Sequence, residues 1–279
     1  MKKIILITGC SSGIGLCCAK GLKARGHRVF ATARKLEDVR KLEKLGLESL
    51  PLDINDSASI KSAIKTICDR TDGKLDVLFN NCSYAQAGAT EDLTREVIRA
   101  QFETNLFGPM ELTNQVIKIM RKQGSGRIIF TGSLLGYITM PFRSAYNASK
   151  FALEGLVNTL RQELRNSKIS VSIIEPGPIH SKIRENAKDN FLQNIDHENS
   201  AHKKTYEKMA KEFFEINAKE SFYLPPDAVL KKLIHAVENK KPKTHYYVGF
   251  PSHFFMLLKR ALPAKALDWV IYQIVKKEI

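Results

Sequence analysis

The sequence predicts an α/β fold, a doubly wound parallel sheet with helices on both faces and a C-terminal helical extension. Two observations carry this. Short apolar runs alternate with amphipathic stretches from residue 2 to about residue 175. The runs also lack strict two-residue alternation, the mark of strands buried on both faces. Strand and helix alternating in this way build βαβ units, hence parallel strands. A third observation sets the scale. The 279 residues, 43% hydrophobic and 26% charged, suit one large domain with a sizeable core and exclude a disordered, collagen-like or disulfide-stapled chain.

The elements follow in order. Met1-Lys2-Lys3 before Ile4-Ile5-Leu6-Ile7 has the opening of a secretory signal. The apolar run stops at Thr8-Gly9 without a small-residue cleavage site, so Lys3–Thr8 reads as a buried strand. Further strands are expected at Arg28–Thr32, Leu47–Leu52, Leu75–Asn80, Gly126–Thr131 and Ile169–Ile174. Helical patterns separate them at Gly13–Arg25, Leu36–Lys44, Ser57–Arg70, Thr94–Gln123 (two helices, broken near Gly108-Pro109) and Ser144–Asn166. After Pro176 the rhythm changes: about 182–222 is polar, helix-prone and weakly patterned, as expected of a mobile lid. Pro225-Pro226 starts a helix, Asp227–Asn239, and a turn at Lys240–Lys243 leads to a last strand, His245–Val248. No linker intervenes, so residues 1–279 are expected to form a single domain: a core of 1–180, a lid of about 182–225 and an extension of about 250–279.

Charge is the unusual quantity. The formal net charge is +15, which draws anions without choosing among them. The five cysteines form no CxxC pair or Cys/His cluster and read as reduced thiols of an intracellular, cytoplasmic protein, with no metal site. No aromatic-basic reading element is present, so nucleic acid is not expected as a partner.

Directly after the first strand comes Thr8-Gly9-Cys10-Ser11-Ser12-Gly13-Ile14-Gly15, and then a helix. Glycines let a diphosphate approach the backbone closely, and the helix N-terminus offers it unpaired N–H groups. An Asp or Glu at the end of the second strand would hold a ribose 2′-hydroxyl, but that strand ends Ala31-Thr32-Ala33-Arg34-Lys35. Arg34 suits a 2′-phosphate instead, so NADP(H) is expected in preference to NAD(H). Tyr146 and Lys150, four apart on a helix, share one face. A lysine cation beside a phenol favours phenolate, and Tyr146 then serves as general acid/base. Ser133, after the fifth strand, is placed to hydrogen-bond the same substrate oxygen.

These features together resemble the short-chain dehydrogenase/reductase family. Its opening motif TGxxxGIG is matched from Thr8 to Gly15, and further matches follow in order. Asp53 in Leu52-Asp53-Ile54 is similar to the family's adenine-contacting acid, and Asn80-Asn81-Cys82-Ser83 stands where the family usually has Asn-Asn-Ala-Gly. Asn105, Ser133, Tyr146 and Lys150 keep the family's order and spacing, and Glu175-Pro176-Gly177 matches its post-strand turn. The resemblance covers roughly residues 1–250. Within the family the chain looks most like the branch of retinol and 17β-hydroxysteroid dehydrogenases and bacterial NADP-dependent aldehyde reductases.

The resemblance implies a Rossmann fold with strand order 3-2-1-4-5-6-7 and a hydride-transferring enzyme acting on CH–OH and C=O groups. Its implied catalytic set is Asn105, Ser133, Tyr146 and Lys150, with Asn105 bending a helix around a water that links Lys150 to solvent. The implied cofactor contacts are Gly9, Ser11, Ser12, Gly13, Ile14, Gly15, Arg34, Asp53, Ile54, Asn81, Tyr146, Lys150, Pro176, Gly177, Ile179 and Ser181, the last in place of a threonine that bonds the carboxamide. Ser83 replaces a glycine near the expected adenosine ribose. Lid residues Phe191, Phe213, Phe214, Phe222, Tyr223 and Leu224 are expected to wall a pocket for an apolar aldehyde, retinoid or steroid-like substrate. A non-catalytic dinucleotide-binding sensor or scaffold is the alternative; it has no need to keep all four catalytic positions.

At the C-terminus, Phe254-Phe255-Met256-Leu257-Leu258 precedes Lys259-Arg260, and a segment with Leu267, Trp269, Ile271 and Ile274 closes on Lys276-Lys277. This pattern suits a helix lying on an anionic membrane surface, and equally one that closes a pocket or forms a seam in a homodimer or homotetramer. Nowhere do about 18 uncharged apolar residues run together, so no spanning helix is expected.

Overall fold

A computed structural model describes residues 2–212 and 222–276. Seven strands form one parallel sheet in the order β3-β2-β1-β4-β5-β6-β7, as the sequence predicts. They are β1 Ile4–Ile7, β2 Arg28–Ala33, β3 Glu48–Pro51, β4 Val77–Asn80, β5 Gly126–Thr131, β6 Ile169–Pro176 and β7 His245–Val248. Pro51 is tolerated because β3 lies at the sheet edge, where a missing N–H breaks no ladder. β6 runs two residues further than its apolar run suggests, since β7 pairs Tyr247 with Glu175 and Val248 with Pro176.

Side chains alternate across the sheet and so supply two cores. Ile5 and Ile7 of β1 face a layer built on α1 Gly13–Ala24 and α9 Asp227–Glu238, with Leu22, Val229 and Leu233. Leu6, between them, faces α3 Ser57–Thr71, α5 Gly108–Gln123 and α6 Ser144–Glu163, with Ile60, Leu112 and Leu153. The remaining short helix on the sheet, α2 Leu36–Lys44, buries Val39 and Leu42.

The expected break at Gly108-Pro109 takes another form. The helix α4 Arg95–Phe102 continues into α5 through a π-helical turn, Glu103–Phe107. Pro109 has no N–H for the carbonyl of Asn105 four residues back, so the chain widens there instead of stopping. Gly108 is required at this point, because a Cβ would lie 2.1 Å from the Ile54 carbonyl oxygen.

The described part of the expected lid holds two packed helices, α7 Ile183–Asn194 and α8 Lys203–Glu212. Phe191, Ile195, Tyr206 and Met209 close a third core on Ala87, Leu93 and Ala145. The Tyr206 hydroxyl accepts from the Ala89 N–H at 2.8 Å and donates to Asp92 Oδ2 at 2.5 Å. Phe213 and Phe214 lie outside the described residues.

The C-terminal helices, α10 Phe250–Ala261 and α11 Ala264–Val275, pack Phe255, Leu267 and Ile271 against Leu134, Leu135 and Ile138. Their other face is wet: Leu257, Trp269 and Tyr272 are 61%, 64% and 55% exposed. Among the described residues no helix is long and apolar enough to cross a membrane.

Candidate active site

The carboxyl ends of β1, β4, β5 and β6 open onto one cleft, at the point where strand order reverses. Gly9, Ser11, Ser12, Gly13, Ile14, Gly15, Asn81, Ser133, Tyr146, Lys150, Pro176, Gly177, Ile179 and Ser181 all line it. Arg34, Asp53 and Ile54 stand off this lining at the ends of β2 and β3; Arg34 and Asp53 come near enough to bias the Cys82 thiol electrostatically. Among the described residues the exposed Arg34 guanidinium has no hydrogen-bond or ion-pair partner.

The glycine loop is shaped by close approach. A Cβ on Gly15 would lie 2.1 Å from the Gly9 carbonyl oxygen, and Gly9 itself needs φ +69°. Asn81 pins the loop from β4: its Nδ2 donates to the carbonyls of Thr8 and Gly9 at 3.0 and 3.2 Å. The first turn of α1 holds no acidic residue, and the Ser12 side chain does not cap it. Its N–H groups therefore face the cleft ready for an anion, and the loop fits a dinucleotide diphosphate. Across the cleft Ser181 crowds Gly13, where a Cβ would stand 3.1 Å from Ser181 Cβ.

Tyr146 and Lys150 project from one face of α6, with the Lys150 Nζ 5.6 Å from the Tyr146 ring centre. Lys150 is 2% exposed, and its ammonium donates to the Thr131 carbonyl at 2.9 Å. Burial holds its pKa down at about 8. In the chain alone burial also pushes the Tyr146 phenol up, opposed by hydrogen bonds from Ser133 and Ser83. The phenolate expected beside a lysine thus needs a further positive charge in the cleft. Ser133 Oγ accepts from the Leu135 N–H at 3.1 Å, which leaves its proton free to donate.

Asn105 does not line the cleft. It sits on the π-helical turn, 1% exposed, with Nδ2 donating to the Tyr84 carbonyl and Ser149 Oγ, both at 3.0 Å. The helix bend expected of it is present, while its side chain reaches Ser149 and not Lys150. Ser83, expected near the adenosine ribose, stands between Asn105 and Tyr146: its Oγ lies 3.4 Å from Asn105 Oδ1 and it also bonds the phenol. The substitution of serine for glycine signalled this position in the sequence but not this contact. Lys182 and Asn186, at the start of α7, also line the cleft. Nothing in a weakly patterned segment pointed to them.

A second cavity, of about 580 Å³, begins at Ser144 and Asn147, which flank Tyr146 on α6, and runs between Thr139–Phe142 and α11. Of the lid residues expected to wall such a pocket, the described aromatics stand elsewhere: Phe191 is buried in the third core, Phe222 stacks on Phe250, and Tyr223 lies under Arg184. Its far wall is Ile271, Tyr272 and Val275. Asn147 is 6% exposed, and its Oδ1 has no hydrogen-bond partner among the described residues.

A family model described as short chain dehydrogenase matches residues 3–191. An oxidoreductase of Escherichia coli K12, YbbO, is 38% identical over 271 residues, covering 97% of this chain and 94% of that one. Human 17-beta-hydroxysteroid dehydrogenase type 1 is 31% identical over 276 residues, 94% of this chain and 81% of its own. An NADPH-dependent 3-dehydrocapnine reductase of Ornithobacterium rhinotracheale is 31% identical over 281 residues, 98% of this chain and 97% of its own. With the parallel sheet, the glycine loop and the Ser-Tyr-Lys cleft in place, the chain belongs to the short-chain dehydrogenase/reductase family, oxidoreductases that bind a nicotinamide dinucleotide and act on CH–OH and C=O groups.

Proposed function

We propose that this protein is an NADP(H)-dependent carbonyl reductase or alcohol dehydrogenase acting on an apolar aldehyde, retinoid or steroid-like substrate. One observation carries the reading: Ser133, Tyr146 and Lys150 converge in the same cleft as an uncapped helix N-terminus. The diphosphate lies on the loop from Gly9 to Gly15, with Asn81, Asp53 and Ile54 toward the adenosine and Pro176, Gly177, Ile179 and Ser181 toward the carboxamide. Arg34 takes the 2′-phosphate, a reading supported by its unpaired guanidinium and by the NADPH dependence in the name of the 3-dehydrocapnine reductase.

Bound nicotinamide supplies or accepts the hydride. Tyr146 gives its phenolic proton to the carbonyl oxygen as the alcohol forms, and takes one back in the reverse direction. Ser133 donates to that oxygen as charge develops on it. Lys150 holds the ribose and biases Tyr146 toward phenolate, and Asn105 fixes the turn behind them. The cavity beside Asn147 takes the apolar body of the substrate. NADPH consumption against aldehydes, retinoids and ketosteroids tests the reading. Substrates with a long apolar body should be turned over faster than acetaldehyde, and consumption with none of them would overturn it.

Ser83 adds a prediction. It hydrogen-bonds Tyr146 and lowers its pKa, so Ser83→Ala should raise the pH midpoint assigned to Tyr146. The expected shift is about 0.5–1 pH unit, the worth of one neutral hydrogen bond. A pH–rate profile with an unmoved midpoint would show that Ser83 has no hold on the phenol.

A peripheral contact with anionic membrane belongs to the same proposal. Support comes from the exposed Leu257, Trp269 and Tyr272 on α10 and α11, with Lys259 and Arg260 beside them. Because the opposite face of these helices packs on Leu134 and Leu135, truncation would open the core. The surface change Leu257→Ala with Trp269→Ala is the better probe. Native protein should float with anionic vesicles at low salt and the double variant should float several-fold less. Native protein left wholly in the soluble fraction would contradict the contact.

A further inference from the structure

One cluster of titratable groups serves neither the cleft nor the cavity. Glu154 on α6, Glu175 on β6 and His245 on β7 bring one potential ligand atom each within 4.8 Å of one another, the only such trio of His, Cys, Asp or Glu among the described residues. Glu175 is 1% exposed, and among the described residues the buried Oε2 atoms of Glu175 and Glu154 find no donor except a proton shared between the two carboxyls. Two carboxyl groups pressed together and buried, with no outside donor to either outer oxygen, is an expensive arrangement. Arg260 acts on Glu175 electrostatically but makes no hydrogen bond to it among the described residues.

The imidazole is already oriented as a ligand. His245 Nδ1 is bonded to Thr244 Oγ1 at 3.1 Å, which turns Nε2 inward to within 2.8 Å of Glu154 Oε1. An outer partner on one ring nitrogen that aims the other at a centre is the usual support of a metal-bound histidine. Asn158 Nδ2 steadies Glu154 in the same way, at 2.8 Å from Oε1. The side chains of His245 and Glu154 are 24% and 19% exposed, so the cluster has a wet side for entry and for a water ligand.

We propose that Glu154, Glu175 and His245 form a structural site for one divalent transition-metal ion, with zinc as the probe. Two carboxylates balance its charge, a neutral imidazole gives the third bond, and water gives the fourth, a complete tetrahedral set of nitrogen and oxygen donors. Ligand atoms on zinc stand roughly 3–3.5 Å apart, so the pair at 2.8 Å would open by a few tenths of an ångström while wider pairs, within 4.8 Å, close onto the ion. The ion would staple together α6, which carries Tyr146 and Lys150, and the strands β6 and β7, of which β6 ends at Pro176 beside Gly177. It would thus hold the two walls of the cleft in register, away from the reacting atoms.

Three measurements on the full, chelator-washed chain test this. Native protein should retain one Zn²⁺ in equilibrium dialysis at micromolar zinc, and its thermal midpoint should rise with the metal. Glu175→Gln and His245→Gln, each checked for native circular dichroism, should bind zinc at least tenfold more weakly and lose that rise. Co²⁺ in the native protein should give a tetrahedral spectrum without a thiolate charge-transfer band. No retained zinc, equal binding by both variants, or a thiolate band pointing to Cys17 and Cys18 would each overturn the site. In that case the carboxyl pair simply shares a proton beside His245.

Discussion

Tyr146→Phe should lower kcat by about 10²-fold or more, the scale of losing a positioned general acid/base and equivalent to about 2.7 kcal/mol in the barrier. The change removes one hydroxyl and keeps the ring. The ring packs with Leu134, Leu135 and Ile138, and Lys150 stays bonded to the Thr131 carbonyl, so fold and cofactor affinity should survive. Fluorescence titration with NADPH separates the two effects. An unchanged Kd with collapsed turnover is the expected pair, and near-native turnover would remove Tyr146 from the chemistry. Lys150→Ala should behave differently. It takes away a buried cation from the ribose side of the cleft, so the Kd for NADPH should weaken as well.

Arg34→Ala should weaken NADPH binding by roughly 10–100-fold while leaving NADH almost untouched, since one charge-assisted contact to phosphate is worth about 1.5–3 kcal/mol. The native protein should prefer NADPH in kcat/KM, and the variant should approach equal use of the two cofactors. A native enzyme indifferent to the 2′-phosphate would contradict the assignment. A variant that keeps the preference would pass the contact to another cation, with Lys35 and Lys182 the nearest in sequence or cleft.

Much of this architecture was legible in the order of residues because it is local. Seven short apolar runs and the helices between them follow from backbone periodicity and burial, and every strand appears in its expected place in the sheet. The glycine loop was legible for the same reason, since its spacing encodes a backbone shape. What escaped depends on partners distant in sequence. The π-helical turn needs Pro109 and the close pass of Ile54, half the chain's first hundred residues away. The lid looked unpatterned because its core is shared: Phe191 and Tyr206 pack on Ala87 and Leu93, which belong to the loop after β4. The sequence points to the 182–222 segment for the wall of an apolar pocket, and it gives no sign that α11 supplies a wall of the cavity beside Asn147. Glu154, Glu175 and His245 lie on three elements, and no spacing rule joins them.

The burial of Glu175 illustrates the same point. Burial first, and the neighbouring Glu154 charge second, push its carboxyl up to about 9. Burial opposes the charge on Glu154 too, but the His245 and Asn158 hydrogen bonds outweigh it and hold that carboxyl below its usual range. Two glutamates of one type thus divide into a neutral and an ionised group only after the fold has brought them together.

The central claim is that this cleft moves a hydride between NADP(H) and a substrate carbon with Tyr146 as the proton donor. Turnover of an aldehyde with NADPH carrying two deuterium atoms at nicotinamide C4, followed by mass spectrometry of the alcohol, tests it most directly. The account predicts one deuterium on the carbinol carbon for each NADPH consumed by the native protein, and at least about 10²-fold slower label transfer by Tyr146→Phe under the same conditions. NADPH bound but never consumed, or label transferred at the native rate without the Tyr146 hydroxyl, would contradict it.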